Sequence, residues 1–566
     1  MPPQHPLQQQ SSAYDIIIIG AGINGAGIAH DAAQRGLRVL LLDKGDIASG
    51  TTSWSTRLIH GGLRYLEHAE LGLVRESLRE RETLLRIAPH LVRPLPLLIP
   101  LFQGARRGPF TMRVGMVGYD MLSWDKSLPR HQMLSRAGTL ACAEGLRTEG
   151  LQGGALYYDA QVTFPERLTL ENMLAARALG AHILTYTRAD RLLTEQGQVR
   201  GVACTHLLTD QQHMVSAPLV VNVAGPWVDA VLAGQSVTNH PLVAGTKGTH
   251  LVVAHFAGAP EVGLYAEAQA DGRPFFILPW NNLYLIGTTD TRYTGRLDQI
   301  EATEAEIGYL LAETNRLFPQ AQLTRGQVLY TYAGVRPLPF VPAGREAGIT
   351  RRHFVHQDSA GIKGLFSVVG GKLTTYRSLA EEVVNLLCQR LHKPCAACAT
   401  AHTPLPGALP AEETADFQQH LLREFPSLPA ATLQRLVRIY GRRITQLLQL
   451  ATTAPDLLQP LVPTSPAIAA EIVFAMQQEQ AQTLTDCLMR RTMLGLNAVV
   501  GLDVVEAAAV VAQRHLHWTE MRATAEVAAY RQYVQRFHPR RLVASQLNGE
   551  SDQSGYRSAE SAAAGL

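Results

Sequence analysis

The chain has 566 residues, 46% hydrophobic and 17% charged, with a formal net charge of +3. That length suits about two to four domains with a core that needs no disulfide or metal staple. The composition excludes a disordered chain, and so small a net charge excludes a nucleic-acid coat, so no nucleic-acid partner is expected. Six cysteines (Cys142, Cys204, Cys388, Cys395, Cys398, Cys487) in so long a chain make no disulfide framework and point to a reducing compartment. No apolar run reaches the roughly 18 residues of a spanning helix. Residues 1–13 carry no Lys or Arg, so they read as a disordered tail rather than a signal or transit segment. The chain is therefore expected to stay inside the cell.

From Tyr14 to Ile19 a β-branched run reads as a buried parallel strand. It enters Gly20-Ala21-Gly22-Ile23-Asn24-Gly25, followed by an Ala-rich helix to Arg35, a stop at Gly36, and a second strand from Arg38 to Asp43. This β-α-β unit has the glycines of a dinucleotide site. Gly20 permits the turn, Gly22 lets backbone approach a pyrophosphate, and Gly25 allows close helix–strand packing. Asp43, 23 positions beyond Gly20, can accept hydrogen bonds from an adenosine ribose. No second such fingerprint occurs, so either NAD is the sole oxidant or FAD is held and reoxidised by another acceptor.

The next loop, Gly45 to Thr56, is small and hydroxyl-rich, with Thr51, Thr52 and Ser53 as candidate cofactor contacts. It leads into Arg57-Leu-Ile-His60-Gly61-Gly62-Leu-Arg64-Tyr65-Leu66. Together with IIIIGAGINGAGIA, VNVAGPWV, IGTTD, AGVRPL and GGKLTTYR, in order from residue 16 to 377, this closely resembles the FAD-dependent glycerol-3-phosphate dehydrogenases. These are the aerobic, quinone-linked branch of a flavoprotein oxidase superfamily. The resemblance implies FAD, sn-glycerol 3-phosphate as substrate, and ubiquinone or menaquinone as acceptor. It also implies peripheral attachment to the inner face of the cell membrane. An O₂-using glycerol-3-phosphate oxidase and a flavin amine or amino-acid oxidase are the alternatives.

On this reading His60 is the base that takes the substrate hydroxyl proton. Gly61 and Gly62 let backbone approach the flavin ring, and Ala224 and Gly225 of the VNVAGPWV segment are further cofactor-binding candidates. Arg336, on the rigid Gly334-Val335-Arg336-Pro337 turn, orients the developing alkoxide and shares a phosphate clamp. By motif, Arg64, Arg336 and Lys372 match the family's anion-binding positions, and Arg351 matches by its place in Ile349-Thr350-Arg351 with Arg352 as the neighbouring choice. Tyr65 and Thr289 are further candidates for substrate or flavin contacts. Gly370, Gly371, Leu373 and Thr374 open a helix whose bare N–H groups suit a flavin edge gathering negative charge.

The single CxxC at Cys395–Cys398 lacks both a full ligand set and a thioredoxin-like context, so no metal site is expected. Over residues 88–136, Leu97, Leu98, Ile99, Leu101, Phe102 and Phe110 accompany seven cations, including Arg106, Arg107 and Arg113, against two aspartates. Apolar bulk beside clustered cations is the pattern of a segment lying on anionic lipid.

The strands expected at Leu219 to Asn222 and Tyr284 to Ile286, and the helix at Thr169 to Ala178, do not alternate strictly. At residues 403–409 a Pro/Gly linker changes the texture, and 410–540 become Ala/Leu/Gln/Arg-rich with helical periods such as Ala507 to Arg514. The expected fold is α/β, with a Rossmann-like FAD-binding domain interleaved with an α+β substrate domain over 14–402. An all-helical domain and a disordered tail at 541–566 follow. Whether the helical domain is a cap, a homodimer surface or a regulatory surface is open in the sequence.

Overall fold

Four consecutive isoleucines form the strand Ile16–Ile19 at the centre of a six-stranded sheet, every one of them buried. A strand apolar on both faces must be covered on both, and the alternation shows how. Ile16 and Ile18, with Val39 and Leu41, pack on Ala26, Ala29, Leu379 and Val383 of the helices Ile23–Gln34 and Tyr376–Leu391. Ile17, Ile19, Leu40 and Leu42 face Val202, Cys204 and Val215 of a three-stranded antiparallel sheet. The strand order is Phe354–Gln357, Leu365–Val369, Leu219–Asn222, Ile16–Ile19, Val39–Leu42, His182–Leu184, parallel except at the Phe354–Gln357 edge.

The computed structural model describes residues 14–67, 70–233, 241–341 and 349–540, so both expected tails lie outside the described residues. The described part is the expected α/β body with a C-terminal run of helices from Ala411–Glu424 to Glu520–Val534. Alongside the first sheet stands a ten-stranded one, in which Val243–Val253 pairs with Val328–Pro339 and Val92–Phe102 with Leu151–Val162. The C-terminal helices share a continuous core with this sheet, Leu97 and Tyr330 lying in one apolar cluster with Leu436, Phe474 and Tyr530.

Two expectations are corrected. Leu97, Leu98, Ile99 and Leu101 do not face lipid; they are buried within the strand Val92–Phe102. Pro94, Pro96 and Pro100 obscured that strand, yet they share one parity, so their missing donors fall on one side and the odd-numbered residues keep theirs. The cysteines, read as unpaired in a reducing compartment, include one disulfide, Cys388–Cys395, at a Cα separation of 6.1 Å. Cys142, Cys204, Cys398 and Cys487 are free.

Buried charge joins the helical region to the rest. Glu479 accepts from Arg167 at 2.6 and 2.9 Å and from Arg443 at 2.5 Å. Both partners of the Arg167–Glu479 pair are fully buried. Burial pushes the Glu479 carboxyl up, but the two guanidiniums outweigh it and hold it below its ordinary value. Its folded pKa lies under its unfolded one, so the unfolded chain binds more protons and stability falls as pH drops below about 4.5. Glu479→Gln should cost about 3 kcal/mol at neutral pH and flatten the acid limb, measured by urea unfolding between acidic and neutral pH.

Candidate active site

The cavity between the two sheets measures about 1380 Å³. Its floor is the glycine turn. Gly20 sits at φ +119°, and a Cβ there would lie 2.7 Å from the Val223 carbonyl oxygen. A Cβ on Gly25 would lie 1.9 Å from the Gly20 oxygen, so the helix can meet the strand only without one. Asp43 ties the turn to the second strand, accepting from the Ala21 N–H at 2.6 Å and the Gly45 N–H at 2.7 Å. Thr52 Oγ1 accepts from the Ile23 N–H at 3.1 Å, and Thr51 donates to the Val335 carbonyl at 2.7 Å.

Several expected residues do not reach the cavity. Gly25 and Gly61 lie behind its wall, Ser53 donates to the Ala48 carbonyl, and Thr289 faces the interior between the Thr249 N–H and Glu306. Thr288 and Asp290 line it instead of Thr289. Arg64 begins the short helix Arg64–Glu67, but its side chain lies outside the described residues. Arg351 lines the cavity whereas Arg352 is exposed.

Opposite the floor, the His60 N–H donates to Thr374 Oγ1 at 3.2 Å, joining the two glycine-rich segments. Gly62 (φ +81°), Gly370 (φ +80°) and Gly371 (φ +95°) all adopt left-handed backbone, and each lines the cavity. The Gly61 N–H donates to the Tyr119 hydroxyl at 3.0 Å; Tyr119 donates to Asp159 at 2.8 Å, and Arg81 donates to the same carboxylate at 2.7 Å. This buried set fixes the backbone next to His60.

Cations gather beside it. Arg336 donates to Asp290 at 3.1 Å and to Thr288 at 3.1 Å; Arg351 donates to the other Asp290 oxygen at 3.1 Å. Burial raises the Asp290 carboxyl, but Arg336 and Arg351 bring it below its ordinary value. Arg273 reaches the Asp290 carbonyl oxygen. Burial pushes Arg336 down to about 10, and pushes Lys372 down to about 7. The Lys372 ammonium donates to Ser77 Oγ at 2.8 Å and to the His60 carbonyl at 3.3 Å, and lies 4.8 Å over the Tyr65 ring. Burial, then the Lys372 charge, lower His60 to about 3, so its imidazole is neutral.

Sequence reasoning missed Arg273, Asp290, His250 and Phe276. Arg273 precedes Pro274 as Arg336 precedes Pro337, so the same reading would have found it. Asp290 closes the IGTTD segment one residue past Thr289. Phe276, edge-on to the His60 ring at 6.4 Å, and His250, stacked on Tyr332 at 4.8 Å, carry no local signal.

The chamber fits a flavin dinucleotide. Bare backbone lies at both glycine segments, and Asn24 Oδ1, Trp227 Nε1 and Arg351 Nη1 are buried without a protein partner on its walls. Comparison with known proteins agrees. Residues 15–377 match the FAD dependent oxidoreductase family, and residues 398–523 match the C-terminal domain of alpha-glycerophosphate oxidase. A glycerol-3-phosphate dehydrogenase of Synechocystis sp. is 44% identical, covering 93% of this chain and 97% of that protein. An aerobic glycerol-3-phosphate dehydrogenase of Staphylococcus haemolyticus is 36% identical, covering 85% and 87%. The crystal structure of the Bacillus halodurans glycerol-3-phosphate dehydrogenase complexed with FAD superposes with a TM-score of 0.77 at 30% identity, covering 94% of this chain and 96% of that one. With the glycine turn, the glycine-lined wall opposite it and similarity over more than nine-tenths of the chain in agreement, the chain belongs to the FAD-dependent glycerol-3-phosphate dehydrogenase family.

Proposed function

We propose that the protein oxidises the C2 hydroxyl of sn-glycerol 3-phosphate to the ketone of dihydroxyacetone phosphate and passes the electrons to a membrane quinone. The supporting observation is the cluster of Arg273, Arg336, Arg351 and Lys372 beside a neutral His60 in one cavity. Arg336 and Arg351 share a single carboxylate, and the Lys372 hydrogen bonds go to neutral acceptors, so the site retains positive charge for a dianion. A guanidinium binds phosphate through two parallel donors, which orients as well as attracts. An ammonium-bearing substrate would meet repulsion there, which disfavours the amine-oxidase alternative.

Bound FAD supplies the hydride acceptor. The protein holds the phosphate so that the C2 hydroxyl faces His60, and His60 accepts its proton. Phosphate beside Lys372 offsets the cationic charge that lowers the imidazole, so substrate binding itself strengthens the base. Arg336 stabilises negative charge as the hydroxyl ionises.

The acceptor reading draws on the helix Pro109–Leu122. One face is buried through Met112, Met116 and Tyr119, whereas Phe110, Val114, Val117, Met121 and, just beyond the helix, Trp124 are exposed at alternating spacings of three and four. Trp124 is 78% and Phe110 80% exposed, far more than a solvated helix face needs. Arg106, Arg113 and Arg130 are exposed around it, while Arg107 pairs with Glu267 at 3.0 Å. Among the described residues no helix is long and apolar enough to cross a membrane, so the stripe suits a bilayer surface of anionic lipid. Tyr119 on the buried face bonds Gly61, which sets the stripe about one helix diameter, roughly 10 Å, from the His60 segment. A quinone confined to lipid would then have a short path to the cofactor.

Anaerobic addition of glycerol 3-phosphate should bleach the oxidised flavin, and glycerol should not; equal bleaching by both would defeat the substrate assignment. Arg336→Lys keeps the charge but loses the planar fork, and should lower kcat/KM by about 2 kcal/mol or more. Because free Lys372 loses its charge near pH 7, kcat/KM should fall as pH rises through 7, and Lys372→Arg should move that limb to higher pH. A rise through pH 7 would instead identify Lys372 as the base. Phe110→Glu combined with Val117→Glu should release the protein from anionic vesicles and slow quinone reduction, leaving anaerobic bleaching unchanged. Vesicle binding that survives both substitutions would remove the membrane reading of this helix.

A further inference from the structure

The reaction above uses none of the C-terminal helices, yet they form part of the wall of the same cavity. Thr483, Thr485, Arg490, Glu526 and Tyr533 line it together with Asp43, Asp46 and the segment from Tyr186 to Ala189. With the pyrophosphate over Gly20–Gly22 and a ribose at Asp43, the end beyond Asp43 receives the adenosine half of the cofactor. The flavin half lies toward Gly62 and Gly370–Thr374. The helices thus meet the adenosine end.

A buried ionic lattice holds them there. Asp46 Oδ2 accepts from Arg490 Nε at 2.6 Å and Arg491 Nη1 at 2.8 Å, and Oδ1 accepts from Arg491 Nη2 at 2.7 Å. Asp486 accepts from Arg490 Nη2 and from the Tyr186 hydroxyl, each at 2.6 Å. The Tyr186 N–H in turn donates to the Gly45 carbonyl at 2.9 Å, two residues after Asp43. Asp46, Asp486 and Arg491 have no more than 1% exposure, and Arg490 has 4%. Two carboxylates and two guanidiniums balance in charge, so removing one partner leaves a buried ion uncompensated. Glu526 lies on the cavity side of this lattice, one oxygen accepting from the Leu484 N–H at 2.8 Å. Its carboxylate and the Thr485 hydroxyl suit an adenine amino group and ribose hydroxyls.

We propose that the C-terminal helical domain completes the adenosine subsite, and that the Asp46–Arg490–Arg491–Asp486 lattice keeps that subsite closed and so governs retention of the cofactor. The inference rests on FAD being the cofactor and is independent of the substrate. FMN, which lacks the adenosine half, provides the control. Full-length protein loaded with FAD, and the same protein exchanged into FMN, is diluted and the appearance of free flavin fluorescence timed. Asp46→Asn should release FAD at least ~10-fold faster than the parent, and Tyr186→Phe about 3-fold faster, with FMN release changed less than about 2-fold in both. Tyr186→Phe removes the hydroxyl's hydrogen bonds to Asp486 and Thr483 and no charge, so it carries the test if Asp46→Asn does not fold. Equal acceleration of FAD and FMN release would reduce the lattice to a general stabiliser, and unchanged FAD release would remove the domain from the subsite; either outcome overturns the proposal.

Discussion

The structure depends on a single steric constraint, the approach of residue 25 to the Gly20 carbonyl. With 1.9 Å between that oxygen and the place of a Cβ, only glycine lets the helix Ile23–Gln34 lie on the strand Ile16–Ile19. The same approach brings the first helical N–H groups over the strand end, where Asp43 joins Ala21 to Gly45. The cavity floor, the seat of the helix Tyr376–Leu391 against it and the direction in which the glycine segments face one another all follow. A side chain at residue 25 would shift every wall at once.

On that frame the site balances two opposed demands. Loss of hydration in the buried cavity drives both Arg336 and Lys372 toward their neutral forms, and for Arg336 the neighbouring Arg351 and Arg273 add repulsion. Asp290 relieves part of this repulsion by taking one oxygen to each of Arg336 and Arg351. On the proposed function, a phosphate dianion would relieve the remainder. The neutrality of His60 has the same source, since burial and the Lys372 charge both act on it.

Buried ion pairs also organise the larger architecture. Arg167, Glu479 and Arg443 join the helix Pro165–Ala178 to the C-terminal helices, and Asp46 with Arg490 and Arg491 joins the cofactor loop to them. Such pairs add modest net stability because desolvation opposes them, but they tolerate few alternative arrangements. Apolar contact supplies the bulk of the adhesion, and the ions set where it forms.

What the sequence determined by itself was local. The Ile16–Ile19 strand, the glycine turn and the strand ending at Asp43 occupy one short stretch, where spacing and backbone freedom are written residue by residue. The Arg336-Pro337 and Gly370-Gly371 segments were legible for the same reason. Tertiary structure decided the rest, because it depends on which distant segments share a surface. Thr289 and Asp290 are adjacent in sequence, yet one turns to Glu306 and the other to the guanidiniums. Leu97 and Phe110 have the same apolar character, but pairing with Tyr157 buries the first while the helix Pro109–Leu122 carries the second outward. Asp46 and Arg491 stand 445 positions apart and meet in a fully buried pair. No local pattern encodes such a contact, because its energy exists only once both charges have left water together.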